Sequence, residues 1–294
     1  LFIATLIAAD RLSVGDISTA RDALGGVGGV PGDGVWLDEG VAADLSFQRI
    51  GTAQARAALE GLIPGVDVIV QPAAQRAKRL LVADMDSTMI TIECIDELAD
   101  YAGIKAEVAE VTERAMRGEL DFEGALDARV ALLKGLDAAV IDTCYAERVR
   151  IMPGARELVR TMKAHGARAV LVSGGFTVFA DRVGAEIGFD RMISNTLLID
   201  GGRLAGTVAR PIVGAAAKVE ALVAERAALA LSPEQTLAVG DGANDIPMIE
   251  AAGLGVAYHA KPRTAAAAAA RIDACDLTAL LYAQGWSRRQ WVTD

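Results

Sequence analysis

Residues 80–90 read LLVADMDSTMI: four apolar positions, two aspartates one residue apart, then a hydroxyl pair. A short unbroken apolar run that ends in polar residues is the pattern of a strand buried on both faces, and it predicts a parallel sheet covered by helices. Asp84 and Asp86 at its carboxyl end repel one another and must lose water together. A positive partner is therefore expected between them.

The pattern continues downstream. Residues 169–172, 236–239 and 254–257 are further short apolar runs separated by helical stretches, which gives an α/β fold built on a parallel sheet. Three of the strands end in polar groups: Asp84-x-Asp86-Ser87-Thr88, Ser173-Gly174-Gly175, and Gly240-Asp241-Gly242-Ala243-Asn244-Asp245. As parallel neighbours they would gather these groups at one end of the sheet. Converging carboxylates ask for a hard divalent cation, and oxygen-only ligands point to Mg²⁺. Ser173, the backbone N–H groups after it and Lys218 at a helix start supply hydrogen bonds and charge for an anion beside that cation. A phosphoryl group meets both requirements.

Residues 93–150 form a charged, mostly helical insertion too long for one crossover helix, and are expected to be a lid over the sheet's carboxyl end, where open α/β folds bind ligands. Residues 1–72 read as strand 2–8, helix 14–24, two strands around the Asp38-Glu39-Gly40 turn, helix 52–62 and strand 66–70. That order, βαββαβ, is a ferredoxin-like α+β sandwich. GGVGGVPGDG at 25–34 is expected to be flexible, QPAAQRAKR at 71–79 to be a solvated linker, and the alanines at 265–270 to be helix. The domain division is then 1–72, a linker at 73–79, and 80–294.

The formal charge of −10 over 294 residues argues against nucleic acid or an anionic membrane as partner, since both need a basic face. No apolar run approaches the roughly 18 residues of a membrane span, and LFIATLIAAD has no basic leader, so a cytoplasmic setting is expected. Cys94, Cys144 and Cys275 lack CxxC spacing and read as buried free thiols, and His165 and His259 stand apart from other ligand types.

DMDST, SGG, Lys218 and GDGANDIPMIEAAG, in that order, resemble the four signature motifs of the haloacid dehalogenase superfamily of phosphotransferases over about residues 80–275. DMDSTMITIECIDELAD, DFEGALDARVALLKG, MPGARELV and VSGGFT narrow the resemblance to the phosphoserine phosphatase family within it. The resemblance implies a Rossmann-like core with a helical cap and hydrolysis of O-phospho-L-serine, the last step of serine biosynthesis. It implies Asp84 as nucleophile, Asp86 as general acid and base, and Mg²⁺ held by the Asp84 side chain, the Asp86 backbone carbonyl and Asp241. It further implies that Ser173, Gly174, Gly175, Lys218 and Asn244 meet the phosphate and that Asp245 supports them from behind. On the cap, Glu93 would take the substrate's ammonium, Arg129 its carboxylate, and Met116 and Phe122 would be apolar walls. A related phosphomonoesterase, or a phosphotransferase serving another alcohol, is the alternative. The first domain resembles the ACT domains that sense amino acids, but Asp10-Arg11-Leu12-Ser13 lacks the Pro-Gly of that family's first loop, so homodimer formation or scaffolding is expected over serine sensing.

Overall fold

The structure, a computed structural model, describes residues 1–117 and 119–293, with the Met116 side chain outside that description. The chain begins with β1 (Phe2–Ala8), α1 (Val14–Gly26), β2 (Val30–Asp38), β3 (Ala42–Gln48), α2 (Thr52–Leu59) and β4 (Val66–Pro72), whose strands pair antiparallel in the order β2-β3-β1-β4. Helix α1 starts on a capping box: the Asp16 N–H donates to Ser13 Oγ at 3.1 Å and the Ser13 N–H to Asp16 Oδ2 at 2.8 Å. Strand alternation puts Ala4, Leu6 and Ala8 into one core with Leu24, Phe47 and Leu59, while Ile7, Ala42 and Ile69 join the large core of the rest of the chain. The sheet is therefore packed on both faces.

The glycine-rich segment is a strand from Val30 onward, contrary to the flexible connection expected. A Cβ on Gly32 would lie 2.6 Å from Ser46 Oγ, and one on Gly34 would lie 2.5 Å from Ile17 Cγ2. These glycines serve close approach of the backbone, a use that composition cannot distinguish from flexibility.

The second sheet comprises β5 (Leu80–Ala83), β6 (Arg168–Phe176), β7 (Arg191–Asn195), β10 (Thr236–Gly240), β11 (Leu254–Tyr258) and β12 (Ala270–Ile272), in the order β12-β11-β10-β5-β6-β7 with all neighbours parallel. Strand β5 lies between β10 and β6, so the segments that follow these three strands emerge side by side. Between β5 and β6 come α3 (Cys94–Tyr101), α4 (Lys105–Met116), α5 (Phe122–Leu132), α6 (Ala139–Arg148) and α7 (Ala155–Ala164). The remaining helices are α8 (Thr177–Ile187), α9 (Ala215–Ala228), α10 (Ile246–Ala251), α11 (Pro262–Ala267) and α12 (Ala279–Ala283). A hairpin that the sequence reading missed, β8 (Leu197–Asp200) and β9 (Arg203–Val208), leaves the main sheet and leans on the insertion, where the Gly135 N–H donates to the Leu204 carbonyl at 2.8 Å.

Two further expectations are corrected. The alanine run does not stay helical: α11 ends at Ala267 and Ala270 opens β12, because Ala268 and Ala270 are buried and the Ala268 carbonyl accepts from Arg56 of α2. Packing outweighs alanine's small helical preference over so short a stretch. The basic linker is solvated only in part: Arg79 is exposed, but Arg76 and Lys78 are enclosed. Arg76 pairs with Asp44 (Nη1 to Oδ2, 2.5 Å) and donates to the carbonyls of Tyr282 (3.2 Å) and Ala283 (3.1 Å). Lys78, only 5% exposed, donates to the carbonyls of Gln75 (3.1 Å) and Glu234 (2.8 Å). Asp67 of β4 completes the seam by accepting from the N–H groups of Asp273 (3.0 Å), Ala274 (3.1 Å) and Cys275 (2.8 Å).

Candidate active site

Parallel pairing delivers the three strand-end motifs to one place. The Asp84 N–H donates to the Val239 carbonyl at 3.0 Å, which fixes the exit of β5 beside that of β10. Lys218, fully buried in α9, donates from Nζ to Asp84 Oδ1 and Asp245 Oδ1, both at 2.6 Å. Lys218 thus gives these acids one positive partner, placed between Asp84 and Asp245. Asp86 is held separately: Oδ1 accepts from the Cys94 N–H at 3.0 Å and Oδ2 from Ser173 Oγ at 3.4 Å. Asp241 Oδ1 accepts from Thr88 Oγ1 at 3.2 Å.

The electrostatics follow from crowding in a dry site. Burial, reinforced by Asp245, pushes the Asp84 carboxyl well above the usual range despite Lys218. Burial also raises Asp86, against the opposing hydrogen bond from Cys94. Burial and then Asp245 push Asp241 up to about 6. For Lys218 burial works the other way, but Asp245 and Asp84 outweigh it and hold the ammonium above the ordinary lysine range. One lysine does not balance this many acids. Asp84, Asp241 and Asp245 each offer an oxygen within 4.8 Å of the others, a hard donor set that fits a divalent cation. Both oxygens of Asp245 are already engaged, Oδ1 by Lys218 and Oδ2 by the Gly242 N–H at 3.0 Å, so Asp84 and Asp241 have the freer oxygens.

Above these groups lies a cavity of about 880 Å³. Asp84, Asp86, Ser173, Gly174, Gly175, Asp241 and Asn244 line it from the sheet side, and Glu93, Phe122 and Arg129 from the insertion. Ser87, at φ 55°, turns its Oγ to donate to Glu93 Oε1 at 2.7 Å. Burial, and then the charge of Asp86, push Glu93 up to about 7. Burial lowers the Arg129 pKa while Asp96 and Glu93 oppose the shift, and its Nε donates to the Ala125 carbonyl at 3.3 Å. Among the described residues Arg129 has no ion pair. Phe122 stands over two glycines: a Cβ on Gly174 or on Gly214 would lie 3.0 Å from its ring. A Cβ on Gly175 would lie 2.6 Å from Asp86 Oδ2.

Of the expected site residues, only Met116 has a side chain outside the described residues. The sequence reading passed over the roles of Ser87, Thr88 and Asp96, although the hydroxyl pair after Asp86 and the three-residue step from Glu93 to Asp96 were visible signals. It also passed over Asn195, for which no local signal exists. The histidines lie elsewhere, His165 stacked on Trp286 and His259 beside the Cys275 carbonyl, and all three cysteines are buried and free. Among the described residues no helix is long and apolar enough to cross a membrane.

Comparison with known proteins agrees with this geometry. The family model of haloacid dehalogenase-like hydrolases matches residues 81–250. A phosphoserine phosphatase of Streptomyces coelicolor is 47% identical over 85% of this chain and 62% of its own length, so this chain spans less than two thirds of that relative. A phosphoserine phosphatase of Polaromonas is 49% identical over 69% of this chain and 88% of its own. The unliganded structure of a probable phosphoserine phosphatase from Vibrio cholerae superposes with a TM-score of 0.79 at 35% identity, covering 98% of this chain and 87% of that one. With its motifs converging at the carboxyl end of a parallel sheet and the family match taking in Asp84, Ser173, Lys218 and Asp241, the chain belongs to the haloacid dehalogenase-like hydrolases.

Proposed function

We propose that this chain hydrolyses O-phospho-L-serine to L-serine and phosphate through an aspartyl-phosphate on Asp84. The observation that carries the reading is the single cavity in which Asp84, Asp86 and Ser173, with Lys218 buried behind Asp84, face Glu93 and Arg129. The first four suit a phosphomonoester, and the last two suit the ammonium and carboxylate of an amino acid. The names of the relatives support the same substrate.

In this reading an Asp84 oxygen attacks phosphorus, and the bond from phosphorus to the serine oxygen breaks as Asp86 delivers its proton to that oxygen. Asp86 then takes a proton from water, the water oxygen attacks phosphorus, and Asp84 is released. The raised pKa of Asp86 suits a group that must hold a proton for half of the cycle. Ser173 and Lys218 hydrogen-bond the transferring oxygens, Gly174 and Gly175 let the backbone approach them, and Asn244 contacts the phosphate side. Asp245 keeps Lys218 in place. Mg²⁺ would be held by Asp84, the Asp86 carbonyl and Asp241, and when bound it screens the negative charge of phosphate from that of the carboxylates. Phe122 and Met116 would wall the cavity. We also infer that residues 1–72 form an ACT-like domain, residues 73–79 join it to the phosphatase unit at 80–294, and residues 93–150 cap the site.

The test is turnover of phosphoserine, phosphothreonine and an aryl phosphate with and without Mg²⁺. The reading requires Mg²⁺-dependent release of phosphate with phosphoserine preferred. Equal turnover of all three esters would remove the amino-acid specificity, and transfer of phosphate to an added alcohol in place of water would favour a phosphotransferase.

A further inference from the structure

Strands β6 and β7 fall out of step where the active-site turn leaves the sheet. Val172 pairs with Ile193 and Phe176 with Asn195, so β6 spends four residues where β7 spends two, and Ser173-Gly174-Gly175 bulges from the ladder. A bulge frees backbone groups that need partners. Asn195, 1% exposed, meets one of them and ties it to a second segment: its Nδ2 donates to the Gly174 carbonyl at 2.9 Å and to the Val213 carbonyl at 3.1 Å, while its Oδ1 accepts from the Val213 N–H at 2.8 Å. Val213 and Gly214 lead directly into α9, which carries Lys218. The two backbone pieces that Asn195 joins are also those under the Phe122 ring, at Gly174 and Gly214.

We propose that Asn195 is a positioning residue for phosphoryl transfer: one buried amide sets the distance between the Ser173-Gly174-Gly175 turn and the Lys218 helix, and holds the seat of Phe122. It lies outside the cavity lining and so acts only through these segments. All three amide hydrogen bonds are needed for this. A primary amide offers two donors and an acceptor in one plane, whereas a carboxylate of the same shape keeps the bond from Val213 N–H but turns its other oxygen toward two carbonyls. Ser173 and Lys218 serve the phosphoryl group that every phosphomonoester shares, so misplacing them must slow all such substrates equally.

The inference rests on the phosphatase reading, and its test separates the two. Asn195→Asp and Asn195→Ala are assayed with Mg²⁺ on phosphoserine and on an aryl phosphate, beside thermal melting and hydrogen exchange of the metal-free protein. The expected result is a loss of kcat of tenfold or more, of similar size on both esters, with KM for phosphoserine within about threefold in Asn195→Asp. Exchange should rise together in the peptides covering 173–176 and 213–218 and stay unchanged in β5 and β10. A purely structural residue would move the melting temperature without a matched loss of kcat on the two esters. Folded variants with kcat within twofold of the parent, a loss confined to phosphoserine, or unchanged exchange in both peptides would each overturn the proposal. A parent protein active only on the aryl phosphate would sink the serine reading and leave this one readable. If it were inert on both esters, the exchange measurement alone would decide the positional link.

Discussion

At the residue scale, the site is a contest between burial and charge. Asp84 is surrounded by Asp245 and Asp241, with Lys218 as the buried cation within hydrogen-bond reach. In the proposed mechanism Asp84→Asn removes the attacking oxygen anion and a cation ligand at once, so phosphate release should fall to background, while chemical trapping in the parent protein should place phosphate on Asp84 alone. A label elsewhere would refute the covalent route. Glu93 and Arg129 make a different demand. In the proposed function, a substrate ammonium and carboxylate enclosed by residues 93–150 must be paired, since a stranded buried charge costs several kcal/mol. Glu93→Gln and Arg129→Lys should therefore lower kcat/KM for phosphoserine by roughly 10- to 1,000-fold, a loss of about 1.4–4 kcal/mol, and that for an aryl phosphate far less. Equal losses on both esters would assign the pair to folding or catalysis.

At the element scale, helix α5 meets the sheet side of the site through its first residue. Phe122 follows the Asp121 N-cap, whose side chain accepts from the Gly124 N–H at 2.8 Å, so a local hydrogen bond aims the ring at Gly174 and Gly214. Phe122→Ala would leave the cap folded but its contact with the sheet side hollow. KM for phosphoserine should rise about tenfold, consistent with losing part of the roughly 1.5–3 kcal/mol that a buried side chain contributes, with little change in melting temperature. An unchanged KM would mean that the ring only packs within the cap. The alanine run and the glycine-rich strand carry the same lesson from the opposite side. Their local preferences were weak, and neighbours in space decided the outcome: Arg56 and buried contacts at Ala268 and Ala270, Ser46 and Ile17 at Gly32 and Gly34.

At the scale of the whole molecule, the two sheets are joined by a polar and apolar seam rather than a loose tether. Ile7, Ala42 and Ile69 lie in the main core, and Asp67, Gln71, Arg76 and Lys78 hydrogen-bond across to the later part of the chain. A chain of residues 76–294 retains every proposed catalytic group, yet it uncovers the apolar surface that those residues meet. Most of kcat should survive and the melting temperature should drop; a folded truncation with negligible turnover would show that residues 1–75 help to form the site. The seam also titrates. Burial lowers Lys78 to about 8, so its charged form is disfavoured in the folded state relative to the unfolded chain. The penalty is present in full below about pH 8 and is relieved as pH rises toward 10.5, because there the unfolded chain still binds a proton that the folded one has lost. Urea unfolding across that range should show the parent gaining stability relative to Lys78→Met, and a constant difference would refute the buried-charge assignment.

The parallel sheet, the βαββαβ order and the three strand-end motifs were legible because each depends on local pattern: apolar runs of strand length, turn residues, and side-chain types repeated at fixed points along Leu80–Ala83, Arg168–Phe176 and Thr236–Gly240. Asp84, Ser173, Lys218 and Asp241 could be named from sequence because their chemistry is unusual at a strand end or helix start. Their partnerships could not. That Lys218 bridges Asp84 and Asp245, that Asn195 spans the Gly174 and Val213 backbones, and that Arg76 and Lys78 are enclosed in a seam all follow from which surfaces meet. Pattern along the chain sets which residues face a core or a strand end, but a buried polar group must find its partner in three dimensions, and only the tertiary structure decides which one it finds.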